Sequence, residues 1–200
     1  MTQSDEILTV FLLSPASCAG TRAQMLLKSQ TSALTARLAN GGAPLGEVFT
    51  FMSSLYFRGK LTYANRFGRA FVITPGRGLL PADVLIRVDD LRQMASVPVD
   101  ESIPAFRDPL LRDAGALAQR LATGDRVVLL GSVATDKYVG PLLEIFGERL
   151  LFPTTFAGRG DMSRGGLLLR CARTGTPLEC VSVRGAARHG PKPPKLPRLR

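Results

Sequence analysis

The alternation of apolar and polar stretches along the chain predicts strands separated by helices. Continuous, largely apolar runs at 7–13, 70–74 and 126–130 are short and rich in β-branched or aromatic side chains. Such runs are typical of strands that are buried on both faces. A further strand is predicted at 148–152, just before a glycine-rich stretch at 158–166.

Apolar positions at helical spacing occupy most of the intervening segments. Helices are predicted at 20–39, with a break near 29–32, at 108–123, and after Asp136 through Phe146. The segment 45–69 is predicted to be helical or mixed, and 167–171 to be a helix, with a strand as its alternative. Residues 98–109 contain three prolines and are predicted to be an irregular connection. The pattern favours an α/β fold: a single domain with a mixed, mostly buried sheet flanked by helices.

The domain is predicted to span residues 1–184, followed by a basic, proline-rich tail at 185–200. The tail has no apolar period, so disorder is expected there. The chain has a formal net charge of +10, and residues 181–200 hold six Lys or Arg and no acid. This charge favours nucleic acid as a partner over anionic lipid. A tail that only improves solubility is the alternative.

Several function classes are disfavoured by what the chain contains. It has one histidine, His189, and three cysteines at irregular spacing, which suggest no histidine triad, disulfide framework or zinc ribbon. No metal or cofactor is predicted, and neither a P-loop nor a dinucleotide fingerprint occurs. No apolar run is long enough for a membrane span. Asp5 and Glu6 argue against a signal peptide, so a cytoplasmic protein is expected.

Small and polar residues follow three predicted strands, at 14–20, 74–78 and 131–136. Ligands of α/β sheets collect beyond the carboxyl ends of the strands, so a pocket is predicted at these loops. Ser14 lies in the first loop, and Lys137 comes just after the third. Asp136 and Tyr138 are the catalytic candidates, because a carboxylate there can act as a general base or hold a ribose hydroxyl. Asp136 is equally suited to cap a helix.

The stretch 158–166 combines four glycines with Arg159, Ser163 and Arg164. Glycine admits a close ligand and arginine matches phosphate geometry, so these three side chains are predicted to bind an anion. A solvated turn is the alternative. Arg77, between two glycines at a strand end, is a second predicted phosphate ligand, with an exposed turn as its alternative.

Cations and aromatic residues alternate in the segment 56–66. Tyr56, Arg58, Lys60 and Arg66 are predicted to form a nucleic-acid surface, because charge meets the phosphate backbone and rings stack on bases. The alternative is that Tyr56 and Tyr63 form the half-buried edge of the core.

Five short motifs occur in a characteristic order: LLSPAS at 12–17, SLYFRGKLTYA at 54–64, VITPGRGLLPAD at 72–83, ATDKYV at 134–139 and GRGDMSRGG at 158–166. In these motifs the chain resembles the peroxide-stress protein YaaA family and its smaller phage and bacterial relatives. The resemblance implies a mixed α/β fold with a positively charged cleft, DNA binding and protection against oxidative damage. Two positions depart from the family pattern: Ser17 replaces a lysine, and Asp161 stands where the family is usually apolar.

Taken together, these patterns predict a nucleic-acid-associated protein that binds DNA, or less readily RNA, through a basic cleft in a stress or damage response. The alternative is an enzyme that acts on a nucleobase, nucleoside or nucleotide in the strand-end pocket, by glycosidic-bond or base-modifying chemistry. A third hypothesis is a structural partner whose tail docks on an acidic surface. The oligomeric state is left open.

Overall fold

The computed structural model describes residues 7–28, 32–194 and 196. The strands in this part of the chain are β1 (Thr9–Leu13), β2 (Ala43–Pro44), β3 (Arg69–Thr74), β4 (Gly78–Pro81), β5 (Leu85–Ile86), β6 (Arg126–Leu130), β7 (Leu150–Pro153) and β8 (Cys180–Ser182). The α-helices are α1 (Thr21–Lys28), α2 (Ala33–Asn40), α3 (Leu45–Phe67), α4 (Val88–Ser96), α5 (Pro104–Ala118), α6 (Val139–Phe146) and α7 (Asp161–Thr174).

Six strands form the main sheet, in the order β4-β3-β1-β6-β7-β8. The four central strands are parallel, with Leu12 of β1 opposite both Phe71 of β3 and Leu129 of β6. The edge strands β4 and β8 are antiparallel to their neighbours, which makes the sheet mixed. Because the central strands run in one direction, the loops that follow β1, β3 and β6 all leave the same edge of the sheet.

Burial of the central strands matches the apolar runs of the sequence. Val10 to Leu13 of β1 and Val127 to Leu130 of β6 are each at most 3% exposed, so both faces of these strands are covered. The helix α3 packs on β1 and β3, α5 on β3 and β4, and α6 on β7. The predicted α/β single domain with a mixed sheet flanked by helices is therefore confirmed.

The predicted helices are largely present, and local signals explain their ends. The segment 20–39 forms α1 and α2; of its predicted break, residues 29–31 lie outside the described part of the chain. Ser32 caps α2, since its hydroxyl accepts a hydrogen bond from the Thr35 N–H at 3.2 Å. The long helix α3 contains a kink at Ser54, the non-glycine residue with a left-handed φ of 53°.

Three local predictions differ from the structure. The connection predicted at 98–109 becomes helical at Pro104, because proline suits the first position of a helix. The helix α4 and the short strands β2, β4, β5 and β8 were not predicted, and each of these strands is four residues or shorter. The glycine-rich stretch at 158–166 is a turn only up to Gly160, and α7 begins at Asp161.

Glycines allow α7 to lie directly against α3. A Cβ at Gly59 would stand 2.6 Å from the carbonyl oxygen of Gly165, and one at Gly165 would stand 2.7 Å from that of Leu55. Only glycine permits so close an approach of two backbones. This contact places the start of α7 beside the middle of α3, where the site described below is built.

Residues 185–194 contain no helix or strand, and they return to the body of the domain. The Arg188 guanidinium donates to the Asp136 carboxylate, and the carbonyl oxygens of Gly190 and Pro191 lie beside Gly158. The rest of the predicted disordered tail, Lys195 and 197–200, lies outside the described residues. Within the part of the chain that the structure describes, no helix has the length and apolar character that crossing a membrane requires.

Candidate functional site

A cavity of about 920 Å³ opens at the carboxyl edge of the parallel strands. The loop Ser14 to Ala19 after β1, Pro75 after β3, and Ser132 and Thr135 after β6 form part of its wall. This is the position at which α/β sheets collect ligands, and it is where the sequence predicted a pocket. Met94, Ala95 and the segment 97–100 close another side with mostly apolar residues.

All five motifs of the proposed family resemblance contribute to this cavity. Its lining includes Ser14 from the first, Tyr56 from the second, Pro75 from the third, Tyr138 from the fourth and Asp161 from the fifth. These positions are far apart in the chain, so their convergence is a property of the fold. It identifies the cavity as the site around which the short motifs are arranged.

Ser14 and Lys60 form a buried pair at the cavity floor. Ser14 directly follows β1, where its N–H donates to the Leu130 carbonyl of β6. The Lys60 ammonium reaches it from α3 and donates to the Ser14 carbonyl oxygen at 2.7 Å and to its Oγ at 2.9 Å. Lys60 is 1% exposed and Ser14 is 6% exposed. Of the two side chains, only that of Ser14 borders the cavity.

The surroundings of Lys60 disfavour its charge. Burial lowers the Lys60 pKa to about 7; the Asp161 carboxylate acts in the opposite direction, and Arg164 lowers it further. No carboxylate in the described chain lies within ion-pair distance of Nζ. The rings of Tyr56 and Phe57 lie 4.4 and 4.9 Å from it, a contact that partly offsets the lost hydration of the charged form.

Tyr138 completes the floor from the segment after β6. Its hydroxyl accepts a hydrogen bond from the Ser132 N–H at 3.1 Å and lies close to the Ser14 side chain. A Cβ at Gly131 would stand 3.0 Å from this hydroxyl and 3.1 Å from Ser14 Oγ, so glycine leaves the room that the two groups occupy. Burial raises the Tyr138 pKa, which keeps the phenol protonated.

Arg164 stands behind the cavity wall and does not reach into it. Its Nε and Nη2 donate to the Phe156 carbonyl at 3.2 and 3.0 Å, and Nη1 lies 3.5 Å from the Asp161 carboxylate. The neighbouring Tyr56 hydroxyl is buried and has no hydrogen bond of ordinary geometry to any described residue. Burial raises the Tyr56 pKa, while the nearby Arg164 charge lowers it. This phenol is therefore an unused polar group at the cavity wall.

Charge at the cavity is mixed. Lys137 is an exposed cation of the lining, and Asp100 and Asp161 are its carboxylates. No arginine of the described chain lines the cavity. The lining is thus not the strongly positive cleft that the family resemblance implies.

The structure brings together half of the predicted site residues. Ser14, Tyr56, Lys137 and Tyr138 line the cavity, and Lys60 and Arg164 lie directly behind it. Sequence reasoning placed Tyr56 and Lys60 on a nucleic-acid surface, but they are 5% and 1% exposed. They are buried because they lie one helical turn apart on the face of α3 that packs inward. That spacing, continued by Tyr63 and Ala64, was the signal that sequence reasoning missed.

The remaining predicted ligands are engaged elsewhere. Arg77 pairs with Asp90 of α4, and Asp136 pairs with Arg188 at 2.5 Å. Arg159 donates to the Thr155 carbonyl at 3.0 Å and to the Ser163 hydroxyl at 3.1 Å.

Arg58 and Arg66 are exposed on α3, away from the cavity lining. Arg66 lies over the Phe67 ring at 5.9 Å. These two residues remain available for a surface role, whereas Tyr56 and Lys60 do not.

Cys18 lines the cavity but is not an activated thiol. It is 5% exposed, it donates to the Ala16 carbonyl at 3.6 Å, and burial raises its pKa to about 12. A thiol with that pKa stays protonated at neutral pH and is a poor nucleophile.

Among the described residues, no group of three or more His, Cys, Asp or Glu side chains is arranged to hold a metal ion.

Comparisons with models of known families, with curated proteins and with solved structures found no match.

Proposed function

We propose that this chain is an enzyme that acts on a nucleobase, nucleoside or nucleotide bound in the strand-end cavity. The observation that carries the proposal is the cavity floor, where the buried polar side chains of Ser14, Lys60 and Tyr138 meet beneath an open, largely apolar space. Apolar walls with a few convergent polar groups are typical of sites for small organic ligands. Perturbed pKa values at such a place favour a catalytic role.

The cavity chemistry suits the base and sugar better than the phosphate of a nucleotide. Asp100 and Asp161 can accept hydrogen bonds from N–H and O–H groups, whereas they repel a phosphate. The arginines predicted to bind phosphate, Arg77, Arg159 and Arg164, donate to protein oxygens instead. A nucleoside, either free or turned out of a nucleic acid, is therefore the favoured ligand.

Equilibrium titration of the four common nucleosides and their monophosphates tests the proposal. We expect one of the nucleosides to bind, and substitution of the exposed, cavity-lining Ser17 by Trp to abolish that binding by blocking the space. The matched control is Ser96→Trp, since Ser96 is exposed on α4 and outside the lining. No binding up to about 1 mM, or equal binding by both variants, would contradict the proposal.

A second candidate function is nucleic-acid binding at a basic surface. A groove of about 500 Å³ runs between α3 and α7, and the exposed Arg66 and Arg173 border it. Together with the net charge of +10, this groove supports the DNA association that the YaaA resemblance implies. In this arrangement the groove would hold the sugar-phosphate backbone of the nucleic acid, while the cavity would accept a single base or nucleoside.

Salt dependence distinguishes the groove from general charge attraction. Each phosphate contact contributes about −0.9 to the slope of log K against log salt for duplex DNA. We expect the double variant Arg66→Gln and Arg173→Gln to lose two phosphate contacts, so the magnitude of its slope should fall by nearly 2. The control double variant, Arg92→Gln and Arg120→Gln, makes the same charge change at exposed positions outside the groove. Equal slopes for the two double variants would exclude the groove as the binding surface.

We also infer a cytoplasmic location. None of the three cysteines forms a disulfide, which is usual in a reducing compartment. Secretion of the native protein by the producing cell would contradict this inference.

A further inference from the structure

We propose that Ser14 is a nucleophile that takes up an acyl group from an ester or amide, with Lys60 as the base that receives the Ser14 proton. This activity goes beyond the proposed nucleoside site and does not depend on it. It assigns chemistry to a buried pair that ligand binding alone leaves unexplained, because Lys60 does not border the cavity.

The geometry is that of an activated hydroxyl. Ser14 lines the open cavity, and its Oγ has Lys60 Nζ at 2.9 Å. Lys60 makes a second hydrogen bond to the Ser14 carbonyl at 2.7 Å, which fixes the amine beside the hydroxyl. A neutral amine can keep that donor bond and turn its lone pair towards the Ser14 O–H. Nucleophile and base within hydrogen-bond reach, with the base oriented by another group, is the arrangement that nucleophilic catalysis requires.

The protonation state of Lys60 fits this role. Burial brings its pKa to about 7, so the neutral, proton-accepting form is well populated at neutral pH. The charged groups that act on it are Asp161 and Arg164, both from α7, and they act in opposite directions. The phenols of Tyr56 and Tyr138 stay neutral, because burial raises the pKa of each.

The cavity favours an acyl group over a phosphoryl group. The carboxylates of Asp100 and Asp161 line the cavity together with the cation Lys137, so the lining charges do not form a cation site for a phosphate dianion. The backbone N–H groups of Ala16, Ser17, Cys18 and Ala19 donate no hydrogen bond to a described residue. They belong to the loop that starts at Ser14 and lines the cavity, and in the proposed reaction N–H groups of this loop would stabilise the negative oxygen that forms when a carbonyl is attacked.

The reaction balances with water as the co-reactant. Ser14 Oγ bonds to the carbonyl carbon of the substrate, and its proton passes to Lys60 Nζ. The bond from that carbon to the leaving oxygen or nitrogen then breaks, and Lys60 returns the proton to the leaving alcohol or amine. Water attacks the resulting Ser14 ester, gives a proton to Lys60, and releases the carboxylic acid as Ser14 regains its proton. No oxidant, reductant or metal is required.

Acylation by p-nitrophenyl acetate tests the proposal directly on the full chain. We expect a rapid release of p-nitrophenol and an acetyl group on Ser14, located by peptide mass analysis and removed by hydroxylamine, which cleaves esters but not lysine amides. The rate should rise as pH increases through about 7, where Lys60 loses its proton. Ser14→Ala should remove the modification, and the exposed Ser96→Ala should not change it.

The variant Lys60→Met tests whether Lys60 acts as the base for Ser14 or has only a structural role. It should lower the acylation rate by about 100-fold or more and remove the pH dependence centred near 7. Acetyl found only on other residues, or an unchanged rate in Lys60→Met, would overturn the proposal. Should Lys60→Met fail to fold, the location of the acetyl group and the pH profile of the unaltered chain still decide it. Nucleoside titration is a separate measurement, so either proposal can fail without the other.

Discussion

Two sets of cations in the described chain are satisfied in different ways. Away from the cavity lining, several arginines pair with carboxylates, as in the partly buried pair of Arg77 with Asp90 and the pair of Arg188 with the more exposed Asp136. Beside the cavity, Lys60 and Arg164 are buried and donate mainly to carbonyl and hydroxyl oxygens. Lys60 has no carboxylate at ion-pair distance in the described chain, and Arg164 has only the exposed Asp161 at 3.5 Å.

The two sets of cations differ in their effect on the free energy of folding: an exposed ion pair has a small effect, whereas burying a cation is unfavourable. An exposed ion pair contributes only about 0–1 kcal/mol, since both groups remain largely hydrated. A buried cation without a close carboxylate loses hydration that neutral oxygens restore only in part. The chain keeps two such cations next to the strand-end cavity, which is where an unfavourable arrangement can be retained for function.

The close contact of α3 and α7 places Arg164 of α7 near Lys60 of α3. We expect Gly165→Ala to destabilise the protein by about 2–3 kcal/mol, because an added methyl overpacks a crossing that has no room. It would stand 2.7 Å from the Leu55 carbonyl and 2.8 Å from the Tyr56 Cα, both of them backbone atoms that cannot turn aside. Chemical denaturation monitored by circular dichroism measures the change.

The neighbouring glycine supplies the control. Gly166 lies in the same helix, and its nearest neighbour for an added Cβ is a Leu196 side-chain atom at 3.6 Å. Gly166→Ala should therefore stabilise the protein by up to about 1 kcal/mol through helix propensity alone. Equal effects of the two substitutions would mean that the crossing does not depend on Gly165.

Lys60 should make stability depend on pH in a way that no surface arginine does. Its pKa is about 7 in the folded protein and near 10.5 when unfolded, so the unfolded chain binds more protons between these values. Stability contributed by this group therefore rises with pH in that window. Relative to Lys60→Met, the native chain should gain about 2 kcal/mol between pH 7 and pH 9. Urea denaturation of both proteins at several pH values measures this gain.

Other buried groups do not disturb this comparison. The pKa of Cys18 is raised to about 12, which lowers native stability only above pH 9. The raised pKa of Tyr63 lowers native stability at still higher pH, because its ordinary pKa is 10.0. Both groups are present in the two proteins, so their effects cancel in the difference. A stability difference that stays constant from pH 7 to pH 9 would mean that Lys60 keeps its proton when folded.

The sequence predicted the frame of the site better than its chemistry. Ser14 and Tyr138 could be placed because apolar runs mark buried strands, and the ends of parallel strands share one edge. Lys60 was wrongly predicted to be exposed because it is charged. Its position one helical turn after Tyr56 indicated instead that it lies on the inward face of α3. Partners such as Arg77 and Asp90, or Asp136 and Arg188, are separated by 13 and 52 residues, and no local pattern reports such contacts.

The start of α7 also shows that local sequence patterns do not report tertiary contacts. Four glycines within nine residues predict a turn from local preference, since glycine disfavours helix. The structure nevertheless has Gly165 and Gly166 inside a helix, and at Gly165 the contact with α3 explains why. Tertiary packing decided the conformation here, and Arg164 became a buried residue as a result.

The smallest expected effect is that of Asp136→Asn, and it tests the other side of the comparison. Asp136 was the catalytic carboxylate predicted from sequence, but its side chain is 57% exposed and lies outside the cavity lining, paired with Arg188. Loss of this pair should cost less than about 1 kcal/mol, and added salt should reduce the cost further. Urea denaturation at low and moderate salt measures it, with acylation by p-nitrophenyl acetate as the second readout. An unchanged acylation rate would assign Asp136 to the surface group of charges. A large loss of rate with stability intact would instead place it in the reaction, and the division between paired surface charges and reactive buried ones would fail at this residue.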